Sequence, residues 1–357
     1  NMEAMYIFKE FFLKILKSNN YEIRNNLAYL NSEKRENYLF NSKLNGIEES
    51  DLIILIGTNP RYEATILNAR IRKAYIKNNI EIFSLGNLGD LTYPYKILIN
   101  KTETIQDIIN NKHELSEKIK KSKKPMIIIG QSALSQKAGK YIFESIKSYL
   151  KKSDKINKTW NSLNIISNNA STVGGLDLGI YKNINGENEI FKNLEQNNFE
   201  VIYLLGCDNF KFNKKNEFVI YQGSHGDKGA EIADVILPSA AYTEQNGHYT
   251  NLEGKLQRAF KASYPPGNAE EDWKIINNLS KEINSKVLFS SIESLEKSLI
   301  NYLNLFYDKN SSKNFSEKKI DFIKEDIKVD NLDYYYSNSI ARASKTMFLC
   351  RNEKNKI

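Results

Sequence analysis

The run Glu217–Lys255, EFVIYQGSHGDKGAEIADVILPSAAYTEQNGHYTNLEGK, decides the fold. Phe218 to Tyr221 is a short apolar strand, and Ala233 to Pro238 is a second one closed by a proline. Between them, Gln222–Gly229 carries Gly223, Gly226 and Gly229, both signs of charge, and His225. This composition predicts a loop, because glycine supplies positive φ and close backbone approach. Thr243–Gly247 and Asn251–Gly254 then turn the chain twice.

Upstream, the pattern repeats. Asp51–Ile56 is almost wholly apolar, as expected of a parallel strand buried on both faces. Gly57–Pro60 turns at its carboxyl end, where open α/β sheets bind ligands. A basic helix over Glu63–Lys73 and a strand over Ile80–Leu85 complete a βαβ unit. No Gly-x-Gly-x-x-Gly follows any strand. Thr102–Asn110, with Thr102 as cap, and Leu115–Lys124 read as helices. Further strands are expected at Pro125–Gly130, Ile165–Ser167 and Val201–Gly206, with helices at Ser135–Leu150 and Glu189–Asn197. The glycines of Val173–Gly179 are expected at a sheet edge.

The order predicts an α/β protein of two Rossmann-like, doubly wound parallel-sheet domains with a mostly helical and irregular C-terminal tail. The expected divisions are 1–118 for a first α/β domain completed by a preceding part, 119–267 for a second, and 268–357 for the tail. In that tail Glu270–Ile283 and Leu295–Phe306 are helical, Asn310–Lys319 is a polar linker, and Asp333–Tyr336 is extended or irregular. At the other end, Met5, Ile7, Phe8, Phe11, Phe12 and Ile15 recur at helical spacing among Lys9, Lys14 and Lys17. This basic amphipathic start can mimic a targeting segment, and its plain reading is a surface helix on a Rossmann-like layer. The chain opens Asn1-Met2-Glu3, and we expect a processed or separate part of something longer.

The 357 residues carry a formal net charge of +8, with lysine spread along the chain instead of an Arg-rich stripe, which argues against nucleic-acid binding. No apolar run is long enough for a transmembrane helix. The two cysteines, Cys207 and Cys350, cannot make a four-thiolate iron–sulfur or zinc site, and His113, His225 and His248 have no metal-motif spacing. Cys207 reads as a small, buried hydrophobe.

Four collinear runs carry a resemblance: Phe218–Phe260, Ile56–Arg61 with Leu67–Arg72, STVGGLDLG at 171–179, and DNLDYYYSNSIARASKTM at 330–347. Together they resemble the molybdopterin oxidoreductase superfamily and, more closely, the 75 kDa-type subunits of respiratory complex I, NADH:ubiquinone oxidoreductase. The resemblance covers nearly the whole chain but not the family's N-terminal iron–sulfur domain. It implies a structural and assembly part of the peripheral arm, supporting electron transfer from NADH to ubiquinone without a redox centre of its own. Iron–sulfur clusters and FMN belong to the wider complex. The implied partners are other peripheral-arm subunits, among them an iron–sulfur-domain chain or segment and the NADH-binding module. The implied place is the matrix side of the mitochondrial inner membrane, or the cytoplasmic side of a bacterial one.

In the superfamily, a Gly-x-Asn-Pro turn holds one arm of the pterin dinucleotide. This chain keeps Gly57, Asn59 and Pro60, and the resemblance marks these, with Gly223 and Gly226, as vestigial pterin-site turns. Their plain reading is a tight turn with Asn59 bonding its own backbone. About ninety residues follow Gly267, too few for the cofactor-covering barrel of roughly a hundred residues found in true pterin enzymes. The alternative function is a molybdopterin-type cofactor-binding oxidoreductase subunit. A third reading, an unrelated α/β enzyme with His225 as base and Asp227 as its orienter, lacks a nucleophile or metal ligand. No catalytic or metal-ligating residue is assigned.

Overall fold

A computed structural model describes residues 1–24, 26–181, 183–184, 187–310, 320–330 and 332–354. The expected polar linker lies outside the described residues from residue 311 onward. The chain opens with α1 (Met2–Lys14), then β1 (Leu52–Ile56), α2 (Pro60–Glu63), α3 (Thr65–Asn78), β2 (Glu81–Leu85) and β3 (Lys96–Leu98). There follow α4 (Thr102–Ile109), α5 (Glu114–Lys121), β4 (Pro125–Gly130), α6 (Gln131–Leu134), α7 (Gly139–Lys152) and β5 (Leu163–Ile166). Next come α8 (Thr172–Asp177), a small hairpin of β6 (Asn183–Ile184) and β7 (Glu187–Asn188), and α9 (Glu189–Glu195). A second sheet is built from β8 (Val201–Leu205), β9 (Phe218–Gly223) and β10 (Val235–Pro238), with α10 (Lys228–Glu231) between the last two. The hairpin β11 (Gly247–Thr250) and β12 (Leu256–Ala259), α11 (Asp272–Asn284), α12 (Ile292–Asn310), α13 (Ser339–Ala343) and α14 (Lys345–Lys354) complete the order.

The first sheet is parallel, in the order β3-β2-β1-β4-β5. Its side chains alternate with period two. Leu52, Ile54 and Ile56 of β1 enter one core with Ile127, Ile129 and Ile142, while Ile53 and Leu55 enter another with Ile71, Ile82 and Ile128. Both faces are thus dry, which is why the strand reads as an unbroken apolar run. The order reverses between β1 and β4, so the switch-point crevice opens at their carboxyl ends.

This pairing corrects the expected division at 118/119. Ile53 lies opposite Met126 and Ile56 opposite Ile129, so β1 and β4 belong to one sheet. The physical reason is that a strand apolar on both faces and paired on both edges needs a neighbour on each side, and β2 alone supplies one. The second sheet holds only β10-β9-β8, also parallel.

Three further expectations change. α1 is not a surface helix: Met2, Tyr6, Ile7 and Phe11 are buried in a core with Leu178, Ile276, Leu295 and Leu299. The N-terminal helix therefore packs with α11, α12 and the second sheet, although the whole first sheet lies between them in sequence. Helices α11 and α12 are accordingly not part of a separate tail. Residues 172–177, expected at a sheet edge, form helix α8. Its glycines permit close packing: a Cβ on Gly174 would lie 2.2 Å from Met2 Sδ, and one on Gly175 2.6 Å from Ile23.

Asp177, at the end of α8, joins distant segments. Its carboxylate is fully buried and accepts from Arg35 Nε at 2.9 Å, Arg35 Nη2 at 2.7 Å, Tyr38 Oη at 2.9 Å and Tyr307 Oη at 3.3 Å. Arg35 also donates to Gly254 O in the β11–β12 turn. Replacing Asp177 with Ala strands the guanidinium and two hydroxyls. Removing one partner of a buried pair costs about 3–5 kcal/mol. Since Arg35 retains some exposure, we expect a loss near the lower end, read as a shift in the urea midpoint.

A second tie holds α1 to the hairpin. His248 N donates to Glu3 Oε2 at 2.9 Å, and the imidazole Nδ1 lies 2.5 Å from Glu3 Oε1. The Glu3 hydrogen bond holds the His248 pKa above its ordinary value. The stabilisation is therefore complete below the unfolded value of about 6.5 and disappears as pH rises through the raised folded value. We expect melting temperature to fall over that alkaline-going window, and the His248→Gln variant to lack this component.

Candidate crevice at the sheet edges

The turn after β1 is wired internally. Gly57 has φ +57°, and a Cβ there would lie 2.4 Å from that of Ala133. Gly130, ending β4, would place a Cβ 2.2 Å from Gly57 O. The two turns flanking the switch point thus pack backbone against backbone, and only glycine fits at both. Asn59 caps α2 by accepting from Arg61 N at 3.1 Å, and its Nδ2 donates to Leu88 O at 3.0 Å. Pro60 takes the first helical position, where its missing N–H costs nothing. Glu63 closes the turn, accepting from Thr58 Oγ1 at 2.8 Å and Asn59 N at 2.9 Å, and burial pushes its carboxyl pKa up.

The chain's own C-terminal segment lies across this crevice. Thr102 N donates to Glu325 O at 3.0 Å, and Ile327 N to Asn100 O at 2.6 Å. Glu325 Oε2 accepts from Ala138 N at 2.8 Å, and Asp330 N donates to Ser132 Oγ at 3.1 Å. Ile327 is 2% exposed in the core under one sheet face, while Val329 packs against the core under the other. Thr102, expected as a helix cap, instead follows the cap residue Lys101, and its hydroxyl donates to Ile323 O at 2.9 Å.

The second sheet shows the same arrangement. Gly223 ends β9 and Gly226 lies in the loop beyond it. Asp208, after β8, and Asp227, after β9, both bind Arg342 of α13: Nη2 reaches Asp208 Oδ2 at 2.6 Å and Nε donates to Asp227 Oδ2. Arg342 Nη1 donates to Tyr336 O at 3.1 Å. α14 then returns toward the first sheet, with Lys354 Nζ 5.5 Å from the Tyr62 ring on α2.

His225 and Asp227 do not form a base and its orienter. The imidazole Nδ1 meets Ser224 Oγ at 3.0 Å, while Asp227 is committed to Lys228 N at 2.8 Å and to Arg342. The loop glycines meet the expectation of close approach at two positions and not that of positive φ. Gly223, Gly226 and Gly229 do not have left-handed φ. Gly223 and Gly229 serve close approach: a Cβ would lie 2.2 Å from Tyr221 Oη and 2.4 Å from Cys207 O respectively, whereas Gly226 faces open space.

Burial pushes the Cys207 thiol up to about 11, so it is held as a thiol at neutral pH. Sequence spacing does not suggest Glu3, His248 and Glu296, whose ligating atoms lie within 4.8 Å of one another. His248 and Glu3 are paired, however, and Glu296 accepts from Arg258 at 3.2 Å, so the charges are compensated within the chain. A cavity of about 40 Å³ lies at the carboxyl ends of β4 and β5, lined by Tyr29, Asn31, Asn37, Gln131 and Ile166. It is suited to a few waters, against about 300–1,000 Å³ for a ligand pocket. This cavity is too small for a pterin dinucleotide, and the Gly57–Pro60 turn spends its Asn59 amide on Leu88 O and Arg61 N. Among the described residues, no helix is long and apolar enough to cross a membrane.

We expect His225→Gln to leave the melting temperature nearly unchanged, since the imidazole meets its exposed neighbour Ser224. Gly226→Val should be nearly silent in stability, because the added side chain meets open space. Gly229→Val should destabilise by about 1–3 kcal/mol, since its Cβ meets backbone that cannot rotate away. Thermal melts of the two glycine variants separate these outcomes.

Residues 1–282 match the family described as molybdopterin oxidoreductase. The chain is 39% identical over 370 residues to the NADH-ubiquinone oxidoreductase 75 kDa subunit of Reclinomonas americana, covering 98% of this chain and 53% of that protein. It is 35% identical over 364 residues to an NADH-quinone oxidoreductase subunit of Rickettsia bellii, covering 100% of this chain and 52% of that one. Against the mitochondrial NADH-ubiquinone oxidoreductase 78 kDa subunit of Candida albicans it is 40% identical over 264 residues, 73% of this chain and 35% of that protein. The chain thus spans about half the length of the first two relatives.

Proposed function

Given that the chain belongs to the molybdopterin oxidoreductase family, we propose that it is a structural and assembly part of the peripheral arm of respiratory complex I. It supports electron transfer from NADH to ubiquinone and carries no redox centre of its own. The relatives, which are named as subunits of NADH-ubiquinone and NADH-quinone oxidoreductases, support the membership. The observation that carries the structural role is the filling of both sheet edges by the chain's own residues, with Glu325, Ile327 and Asp330 at one and Arg342 at the other.

On this reading Gly57, Asn59 and Pro60, together with Gly223 and Gly226, are remains of pterin-holding turns. The chain comprises two α/β units. The first holds the five-stranded sheet and is inserted into the second, which combines α1, the three-stranded sheet, α11 and α12. Iron–sulfur clusters and FMN reside elsewhere in the complex. The partners are other peripheral-arm subunits, including an iron–sulfur-domain chain or segment and the NADH-binding module. The arm faces the mitochondrial matrix, or the cytoplasm in a bacterium.

The test is chemical analysis of the purified complex. We expect neither molybdenum nor tungsten stoichiometric with this chain, and no fluorescence of oxidised pterin after acid extraction. A pterin present at one equivalent would contradict the structural role.

A further inference from the structure

We infer that residues 320–330 and 332–354 act as a built-in ligand, occupying the carboxyl edges of both sheets and clamping the two units together. Open α/β sheets take ligands at the carboxyl ends of their strands, and helix N-termini there attract anions through unpaired amides. Glu325 sits in that position. Its carbonyl accepts from Thr102 N at the start of α4, and its carboxylate accepts from Ala138 N just before α7. The chain has thus placed Glu325 between two helix N-termini, with its carbonyl at α4 and its carboxylate at α7, where a ligand's anionic group would lie.

The rest of the segment reproduces other features of a bound ligand. Ile327 supplies an apolar anchor, and Phe322 packs edge-on against Tyr141 at 5.2 Å between centroids. Main-chain bonds run along the crevice from Asn100 to Ser132. Arg342 then neutralises Asp208 and Asp227, two carboxylates that would repel each other without it. Arg351 pairs with Asp333 at 2.5 Å and stacks 4.7 Å over Tyr336, fixing the shape of the segment between the two edges. The inference rests on the same edge contacts as the structural role proposed above, whereas membership in complex I rests on the relatives and would survive a tail that came free.

The test inserts a protease-recognition sequence between Asn310 and Ile320 of the full chain and cleaves it. We expect the C-terminal fragment to stay bound and co-elute with the body in gel filtration. In an Ile327→Asp, Arg342→Ala variant cut in the same way, the fragment should separate. A wild-type fragment that leaves on cleavage, or a variant fragment that stays, overturns the inference. Amide hydrogen exchange on the uncut chain gives a second readout that does not require the cut form to be stable. Thr102 and Ala138 amides should exchange at least about tenfold faster in Ile327→Asp, while Ile128 in β4 keeps its protection. Unchanged exchange at Thr102 and Ala138 would also overturn it.

Discussion

A carboxylate with no exposure to water sets the terms for this chain. The buried lone pairs of Asp177 must be filled by donors, and the groups that fill them come from remote places: Arg35 and Tyr38 before the first sheet, and Tyr307 at the end of α12. Through Arg35 the knot also reaches the hairpin turn at Gly254. Such a centre adds little net stability, because desolvation offsets most of the attraction. What it does is penalise every arrangement in which one of these segments is elsewhere. The insertion of the first sheet between α1 and the remainder of its packing partners is tolerable because its entry and exit are pinned here.

The second constraint is the open end of a parallel sheet. Strand order β3-β2-β1-β4-β5 leaves a crevice between β1 and β4, lined by helix N-termini and short turns. A crevice of this kind must be hydrated, liganded or covered. Here the covering is covalently attached. Gly57 and Gly130 bring the two turns into backbone contact, Glu63 satisfies the donors of the Thr58–Asn59 turn, and Glu325 and Ile327 close the top. The occupant of the crevice is polypeptide.

Much of this is legible in the sequence, and the failures share a cause. The strands of Leu52–Ile56 and Pro125–Gly130 are plain, since burial on both faces leaves an apolar run. Which of them pair is not, because strand periodicity says nothing about neighbours, and the 118/119 division follows from treating sequential strands as one sheet. The cap at Asn59 is visible as a Gly-x-Asn-Pro turn. The roles of Ser132, Glu325 and Arg342 are invisible, because ordinary residues gain function only through contacts spanning from 115 to 223 positions. α1 misleads for a similar reason: its lysines suggest solvent, yet Lys9 is buried with its Nζ 2.6 Å from Leu178 O and 4.5 Å above the Tyr302 ring. The glycines of Gln222–Gly229 point to positive φ, whereas two of the three are there for lack of a Cβ.

The central proposal is that polypeptide, in place of a cofactor, fills both sheet edges in the respiratory complex proposed for this chain. Electron cryomicroscopy of the intact respiratory complex containing this chain tests it most directly. The account predicts continuous main-chain density for residues 325–330 between Asn100 and Ser132, and side-chain density for Arg342 between Asp208 and Asp227. Non-protein density at either edge, with the C-terminal segment displaced from it, would contradict the account.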